Sequence, residues 1–487
     1  MQPRSPRTVR LACRALALAL ILTLVLPPSL AVPPARAGMF NFGVKEEKEL
    51  GEKFNNLVRS KLPMVEDSEV VDYVRDIVDR LSQHLTVTPF DLKVAVIEDN
   101  SLNAFAAPGG YVFIFTGMIM DLEHDSEVAG VLAHELSHIS QRHIAKRIEQ
   151  GSIMSIAGIA GVLAGIALGA VAHAPDAGMA VAAGSQAAAT QSMLNYSRDD
   201  EREADEVGMS RLVAAGYPPR GLPDAFKILV RMRLLQGAGI IPAYLATHPA
   251  IEDRINYLGE RIARMPKDVV NRRDNDERFL RIQTIIRARY GDPQTAIAYY
   301  GKKGPAMTRI DRLGLAMALG RTTDNARARQ AFEDALKENP GDSLWLREAG
   351  RFFLKMRDFD RARDILRRAV EANPRDMVAT SAYAEILSQD RRFPEAQELL
   401  RRVILNQPDS TEARLALGRV CGESGDMFHA YLNMAYAAVY ANKARQSRMQ
   451  MEKAKDYARS EADRREYARL EQVFSDKSQY WPKNTMF

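Results

Sequence analysis

Cysteine is almost missing from this chain, with two among 487 residues. That excludes a disulfide-stapled scaffold and a cysteine-rich metal cluster. An excess of charge of either sign is missing too, once the formal +5 is traced to its source. Residues 1–37 hold five arginines and no acid, so without them 67 basic residues become 62, against 62 acidic ones. A chain so balanced gives no electrostatic argument for a nucleic-acid partner. A composition of 46% hydrophobic and 26% charged residues also excludes a disordered chain and a multi-span membrane protein.

What is present begins with an export signal. Arg4, Arg7, Arg10 and Arg14 precede an uncharged run from Ala15 to Leu26, and Ala35-Arg36-Ala37 offers a small-x-small cleavage site. Residues 1–37 are therefore expected to be a signal peptide and the mature protein periplasmic; an uncleaved N-terminal anchor is the alternative. Cys13 leaves with the signal, and Cys421 then has no intramolecular partner.

The C-terminal half repeats. Pro340, Pro374 and Pro408 are 34 residues apart, as are Ala328, Ala362, Ala396 and Ala430, the pair Phe359 and Phe393, and the pair Ala335 and Ala369. Small residues where two helices touch, with proline closing the second helix, resemble the tetratricopeptide repeat. Residues 275–475 are expected to form an α-solenoid whose concave face holds protein segments. Ile282 to Leu319 reads as a degenerate first repeat, and "PKDVVNRRD" (266–274) as a polar link.

The chemistry sits upstream. Ser126 is a plausible N-cap for a helix with Val128, Val131, Leu132, Leu136 and Ile139 as its apolar stripe. That helix carries His134-Glu135-Leu136-Ser137-His138. Histidines at i and i+4 share one face and can reach one ion, while Glu135, offset by one residue, can hydrogen-bond the metal's water. His143 lies at the wrong phase to join them and reads as a surface residue. In "SRDDEREAD" (197–205), Glu201 and Asp205 share a helical face. Glu201 can complete a two-His-one-Glu zinc site, and Asp205 can take the free ring N–H of a ligand histidine. Glu203 points elsewhere and reads as solvated.

The combination of "NAFAAPGGYVFIFTG" (103–117), "HELSH" and "SRDDEREAD" resembles the zinc metallopeptidase family that contains the heat-shock membrane protease HtpX and the CAAX prenyl protease. A signal in front and repeats behind resemble the branch of that family that serves β-barrel assembly in the periplasm. The resemblance implies one Zn2+ per chain on His134, His138 and Glu201, with Glu135 as the catalytic glutamate. It gives meaning to the strand "YVFIFT", whose Tyr111, Val112, Phe113 and Ile114 are expected to pair with an extended substrate as an edge strand; an internal core strand is the alternative. His248, just before Pro249 and near Arg254, is a candidate oxyanion stabiliser. The resemblance implies instead a cap that holds the zinc latent, and a plain helix-start histidine is the third reading.

The expected fold is mainly α: a helical zinc-metallopeptidase domain over 38–265 with a small β-sheet, then the solenoid. Within the first domain an Ala- and Gly-rich insert (151–194) is expected to form an apolar hairpin over the active site or at the membrane surface; a true span is the alternative. The expected function is a zinc endopeptidase acting on unfolded or misassembled outer-membrane proteins, with the repeats contacting clients or the assembly machinery. An adaptor with a latent zinc site and a membrane-embedded processing protease are the rivals.

Overall fold

The computed structural model describes residues 42–84, 89–150, 196–235, 242–479 and 481. The signal segment and the apolar insert lie outside the described residues, so the expectations for them are not carried further. Among the described residues no helix is long and apolar enough to cross a membrane.

The first part of the chain wraps helices around a three-stranded sheet. Helices α1 (Val44–Lys61) and α2 (Ser68–Ser82) lead into β1 (Lys93–Ile97), β2 (Ala104–Ala107) and β3 (Tyr111–Phe115). Then come α3 (Thr116–Asp121), α4 (Asp125–Ser140), α5 (His143–Gln150), α6 (Arg198–Ala214), α7 (Gly221–Leu235), α8 (Ala243–Thr247) and α9 (Ile251–Ala263). The strand order is β1-β3-β2, with β3 parallel to β1 and antiparallel to β2. The two-residue period of β3 explains its composition. Tyr111, Phe113 and Phe115 join Phe54 and Val58 of α1 on one face, while Val112 and Ile114 join Val131 and Leu132 of α4 in the main core on the other.

All five residues of β3 are buried, and both its edges are paired, so the edge-strand expectation for Tyr111–Ile114 is overturned. A strand covered on both faces reads as a continuous apolar run, and such a run does not reveal which neighbours it has. The strand with an unpaired edge beside α4 is β2.

The second part is a run of helix pairs: α10 (Lys267–Val270), α11 (Glu277–Ile285, continued by a π turn to Tyr290), α12 (Pro293–Lys303), α13 (Arg309–Leu319), α14 (Asn325–Glu338), α15 (Ser343–Lys355), α16 (Phe359–Ala372), α17 (Met377–Gln389), α18 (Phe393–Asn406), α19 (Thr411–Glu423), α20 (Met427–Tyr440), α21 (Ala444–Tyr457) and α22 (Glu461–Ser478). The 34-residue ladder of prolines falls just after α14, α16 and α18, and the ladder of alanines from Ala328 to Ala430 is buried between helices. A third ladder governs the helix starts. Asp342, Asp376 and Ser410 cap α15, α17 and α19, each side chain accepting from a backbone N–H of the first turn.

The two parts share one core. A continuous apolar cluster runs from Val65 through helices α2 and α4 into α11–α17. The polar link and the residues just after it are part of this junction: Asp274 accepts from Ser126 N at 3.1 Å and Asp276 from Asp125 N at 2.9 Å. These carboxylates answer the open N–H groups at the start of α4. Ser126 is not the N-cap; His124 is, in a capping box with Glu127.

Candidate metal centre

Three separate elements converge on one buried point. Helix α4 supplies His134, Glu135 and His138, α6 supplies Glu201 and Asp205, and the turn between α8 and α9 supplies His248. His134, His138, Glu201 and His248 each offer an atom within 4.8 Å of the other three. His134 Nε2 lies 3.0 Å from His138 Nε2, 3.3 Å from His248 Nδ1 and 3.5 Å from Glu201 Oε2. His248 Nδ1 is 2.9 Å from Glu201 Oε1. Four zinc ligands at bond lengths of roughly 2.0–2.2 Å are separated by about 3.3 Å along each tetrahedral edge. The donor set and its spacing therefore fit a tetrahedral cation.

One buried oxygen supports that fit. Glu135 Oε1 accepts no hydrogen bond within the protein, whereas Glu201 Oε2 is answered by the Arg254 guanidinium. Buried acceptors left without donors are costly unless something else satisfies them. The other oxygen of Glu135, Oε2, accepts from Ala106 N of β2 at 2.9 Å, which aims Oε1 into the site. His248 lies between the two halves: its Nδ1 faces the ligand atoms, and its Nε2 is 3.5 Å from Glu135 Oε1.

The surroundings hold these side chains in place. His134 Nδ1 is 2.8 Å from Asp205 Oδ1. Asp205 also receives Arg254 through Nε and Nη2, at 2.8 and 2.7 Å, and the Tyr257 hydroxyl. Tyr244 stacks on His248 with ring centroids 4.2 Å apart, and Tyr196 on His138 at 3.7 Å. Burial and Arg254 both oppose a proton on His134, yet its contacts with Asp205 and Glu201 outweigh them and push it up to about 9. Burial lowers His138 well below its ordinary value, with His134 adding to the effect. Glu201 stays well below the usual carboxylate range: burial raises it, but His248 and Arg254 prevail. Burial raises Glu135, the group aimed at the centre.

One expectation fails, at His143, whereas Glu203 is solvated as expected, its side chain 45% exposed. His143 is not a surface residue: its ring is completely buried, with Nδ1 2.8 Å from His138 Nδ1 and Nε2 3.0 Å from Glu203 Oε2. Had α4 continued, a residue five positions on would sit about 140° around the helix from His138. Instead α4 stops at Ser140, and Arg142 adopts the left-handed conformation at φ 53°, which turns the chain back. That geometry costs a non-glycine residue about 1 kcal/mol or more. Arg142 is held in it by donating from Nε to Glu47 Oε2 at 2.8 Å and from Nη2 to Phe42 O at 3.0 Å.

Comparison with known proteins decides the family of this domain. The sequence profile of Peptidase family M48 matches residues 69–262. Residues 69–262 belong to Peptidase family M48. Tetratricopeptide-repeat profiles match 313–376 and 353–420, so the M48 domain is followed by tetratricopeptide repeats. A Vibrio cholerae protein is 35% identical over 227 residues, 46% of this chain and 45% of that one. The Escherichia coli beta-barrel assembly-enhancing protease is 25% identical over 306 residues, 62% of each chain. The Arabidopsis thaliana mitochondrial metalloendopeptidase OMA1 is 31% identical over 168 residues, 34% of this chain and 31% of that one. The chain thus spans between 45% and 62% of the first two relatives' length. The matched residues include His134, Glu135, His138, Glu201, Asp205 and His248.

Proposed function

We propose that this protein is a zinc metalloendopeptidase that cuts extended segments of unfolded or misassembled protein, and that its resting state is closed by His248. The observation that carries this reading is the four-atom group of His134, His138, Glu201 and His248 with the unpartnered Glu135 Oε1 beside it. His134, His138 and Glu201 would hold zinc, which would supply Lewis-acid chemistry at a peptide carbonyl and a water molecule. Glu135, fixed through Oε2 by Ala106 N–H, takes a proton from the attacking water on Oε1 and returns it to the leaving amine. His248 occupies the room that water and substrate need, so it has to withdraw before cleavage.

Substrate backbone is read by β2 rather than by Tyr111–Ile114. Phe115 N donates to Asn103 O at 3.0 Å, which turns residues 103, 105 and 107 toward β3 and leaves Ala104 and the carbonyl of Ala106 facing outward, the Ala106 N–H being taken by Glu135. An extended peptide added to that edge is recognised by its main chain, with little demand on its sequence. The periplasm, outer-membrane clients and recruitment by the repeats are supported by the signal-like segment and by the name of the Escherichia coli relative.

Metal analysis of the purified protein tests the reading. About one zinc per chain is expected, lost on Glu201→Ala. His248→Ala is expected to keep the zinc and raise cleavage of an unfolded protein. A folded parent that takes up no zinc when resupplied would sink the proposal.

A further inference from the structure

The two histidines on α4 are backed differently, and the second backing is unassigned by the proposed function on which it rests. His134 turns its Nδ1 directly to a buried carboxylate, Asp205. His138 turns its Nδ1 to another imidazole: His143 Nδ1, 2.8 Å away. His138 Nε2 is the atom that faces the ligand group, 3.0 Å from His134 Nε2 and 3.6 Å from Glu201 Oε1.

We propose that His143 is a positioning residue that sets the tautomer and angle of the zinc ligand His138, acting as one member of a Glu203–His143–His138 chain. The direction of the chain follows from proton counting. A histidine that gives the Nε2 lone pair to a metal keeps its one ring proton on Nδ1. Two Nδ1 atoms 2.8 Å apart share a single proton, so His138 donates and His143 Nδ1 accepts. The proton of His143 then sits on Nε2 and is donated to Glu203 Oε2 at 3.0 Å. Every ring nitrogen has a partner in this direction. The opposite direction puts a proton on His138 Nε2 and blocks the ligand atom.

The surrounding groups agree with the role. Asp200 Oδ1, 4.0 Å from His143 Nε2, adds negative charge on the same side, and Tyr196 stacks on the far partner, His138. The left-handed turn at Arg142 delivers His143 to this place, and that turn is clamped from α1 by Glu47. Partners behind a metal ligand are generally worth about 10- to 100-fold in metal affinity.

The test is zinc affinity of the full-length protein by chelator competition, read beside the melting temperature of the metal-free form. His143→Phe fills the space without an acceptor and is expected to bind zinc about 10- to 100-fold more weakly, with metal-free melting close to the parent. His143→Asn places an amide oxygen near the Nδ1 position and is expected to stay within about threefold of the parent. Zinc held by His143→Phe as tightly as by the parent would overturn the proposal. Equal weakening in the Asn and Phe variants would also overturn it, because packing alone would then account for the loss. Should His143→Phe not fold, His143→Gln gives the same comparison, since its amide reaches past the Nδ1 position. A parent without zinc would sink the metal reading itself, whereas a zinc-loaded parent whose grip ignores His143 sinks only this chain.

Discussion

Two clusters of buried charge among the described residues are built on opposite terms. At the junction of the M48 domain and the repeats, the guanidinium of Arg347 is fully buried among carboxylates. It meets Asp67 at 3.0 Å, Glu348 at 2.7 Å and Asp376 at 3.3 Å, and Arg289 adds a second cation on Asp67 at 2.9 Å. Every one of those side-chain atoms has a partner. The cluster at His134 and Glu201 is as deeply buried, yet Glu135 Oε1 accepts no hydrogen bond. A matched network holds parts together, whereas an unmatched one waits for something. Burial of charge by itself does not separate a structural cluster from a functional one; the unanswered atoms do.

The largest effect that tests this contrast is on activity. Glu135→Gln is expected to lower peptide cleavage by about 10²- to 10⁴-fold, with zinc content unchanged. Its stability should match or exceed the parent's, because a buried carboxylate with an unanswered oxygen is replaced by a neutral amide. Measuring turnover and thermal unfolding on the same preparation checks both halves. The opposite pattern belongs to the junction. Arg347→Ala takes the shared central cation from three buried carboxylates, of which Asp67 keeps Arg289 and Glu348 keeps Arg351, and is expected to cost about 3–5 kcal/mol in denaturant unfolding, with zinc binding unaffected. A drop in stability for Glu135→Gln comparable to that of Arg347→Ala would erase the distinction between the clusters.

The same contrast explains what could be read from the sequence. The repeats are visible because neighbours in a solenoid are neighbours in the chain, so Ala328, Ala362, Ala396 and Ala430 stand at equal steps. His134 and His138 are visible because one helical turn separates them. Glu201 and Asp205 emerge for the same reason, on a second helix. What escaped depends on turns and on distant contacts. No glycine marks Arg142 as left-handed, so the doubling back that buries His143 against His138 left no local sign. A histidine just past the end of the motif was the available hint, but it became informative only with the end of α4. The polar link was uninformative in the same way: Asp274, and Asp276 just beyond it, accept from the first backbone N–H groups of α4. Strand β3 was recognisable as a strand, but its place in the sheet depends on β1 and β2.

Acid sharpens the comparison next. Glu348 is buried; burial raises its pKa, but Arg347 and Arg351 prevail and hold it down to about 2, against an ordinary 4.5. The group stays charged in the fold after it has taken up a proton in the unfolded chain. Its contribution is therefore complete above pH 4.5 and lost as the pH falls toward 2. A shift of that size corresponds to something on the order of 3 kcal/mol. Glu348→Gln is expected to be less stable than the parent at neutral pH, with the gap narrowing through that window. Denaturant unfolding of both proteins at about pH 6, 4 and 3 measures it; a constant gap would mean that Glu348 acts through shape and not through charge.

The smallest effect comes from an ion pair outside both clusters. Arg363 meets Asp390 through two contacts of 2.6 and 2.7 Å, a geometry as good as any at the junction, but both side chains remain in contact with water. Water already solvates these charges, and ordering two long side chains costs entropy, so the pair is expected to contribute less than about 1 kcal/mol. Asp390→Asn should accordingly shift unfolding slightly at low salt and hardly at all at high salt. If its cost approached that of Arg347→Ala, geometry rather than burial would set the strength of these pairs, and the division between matched and unmatched buried clusters would lose its physical basis.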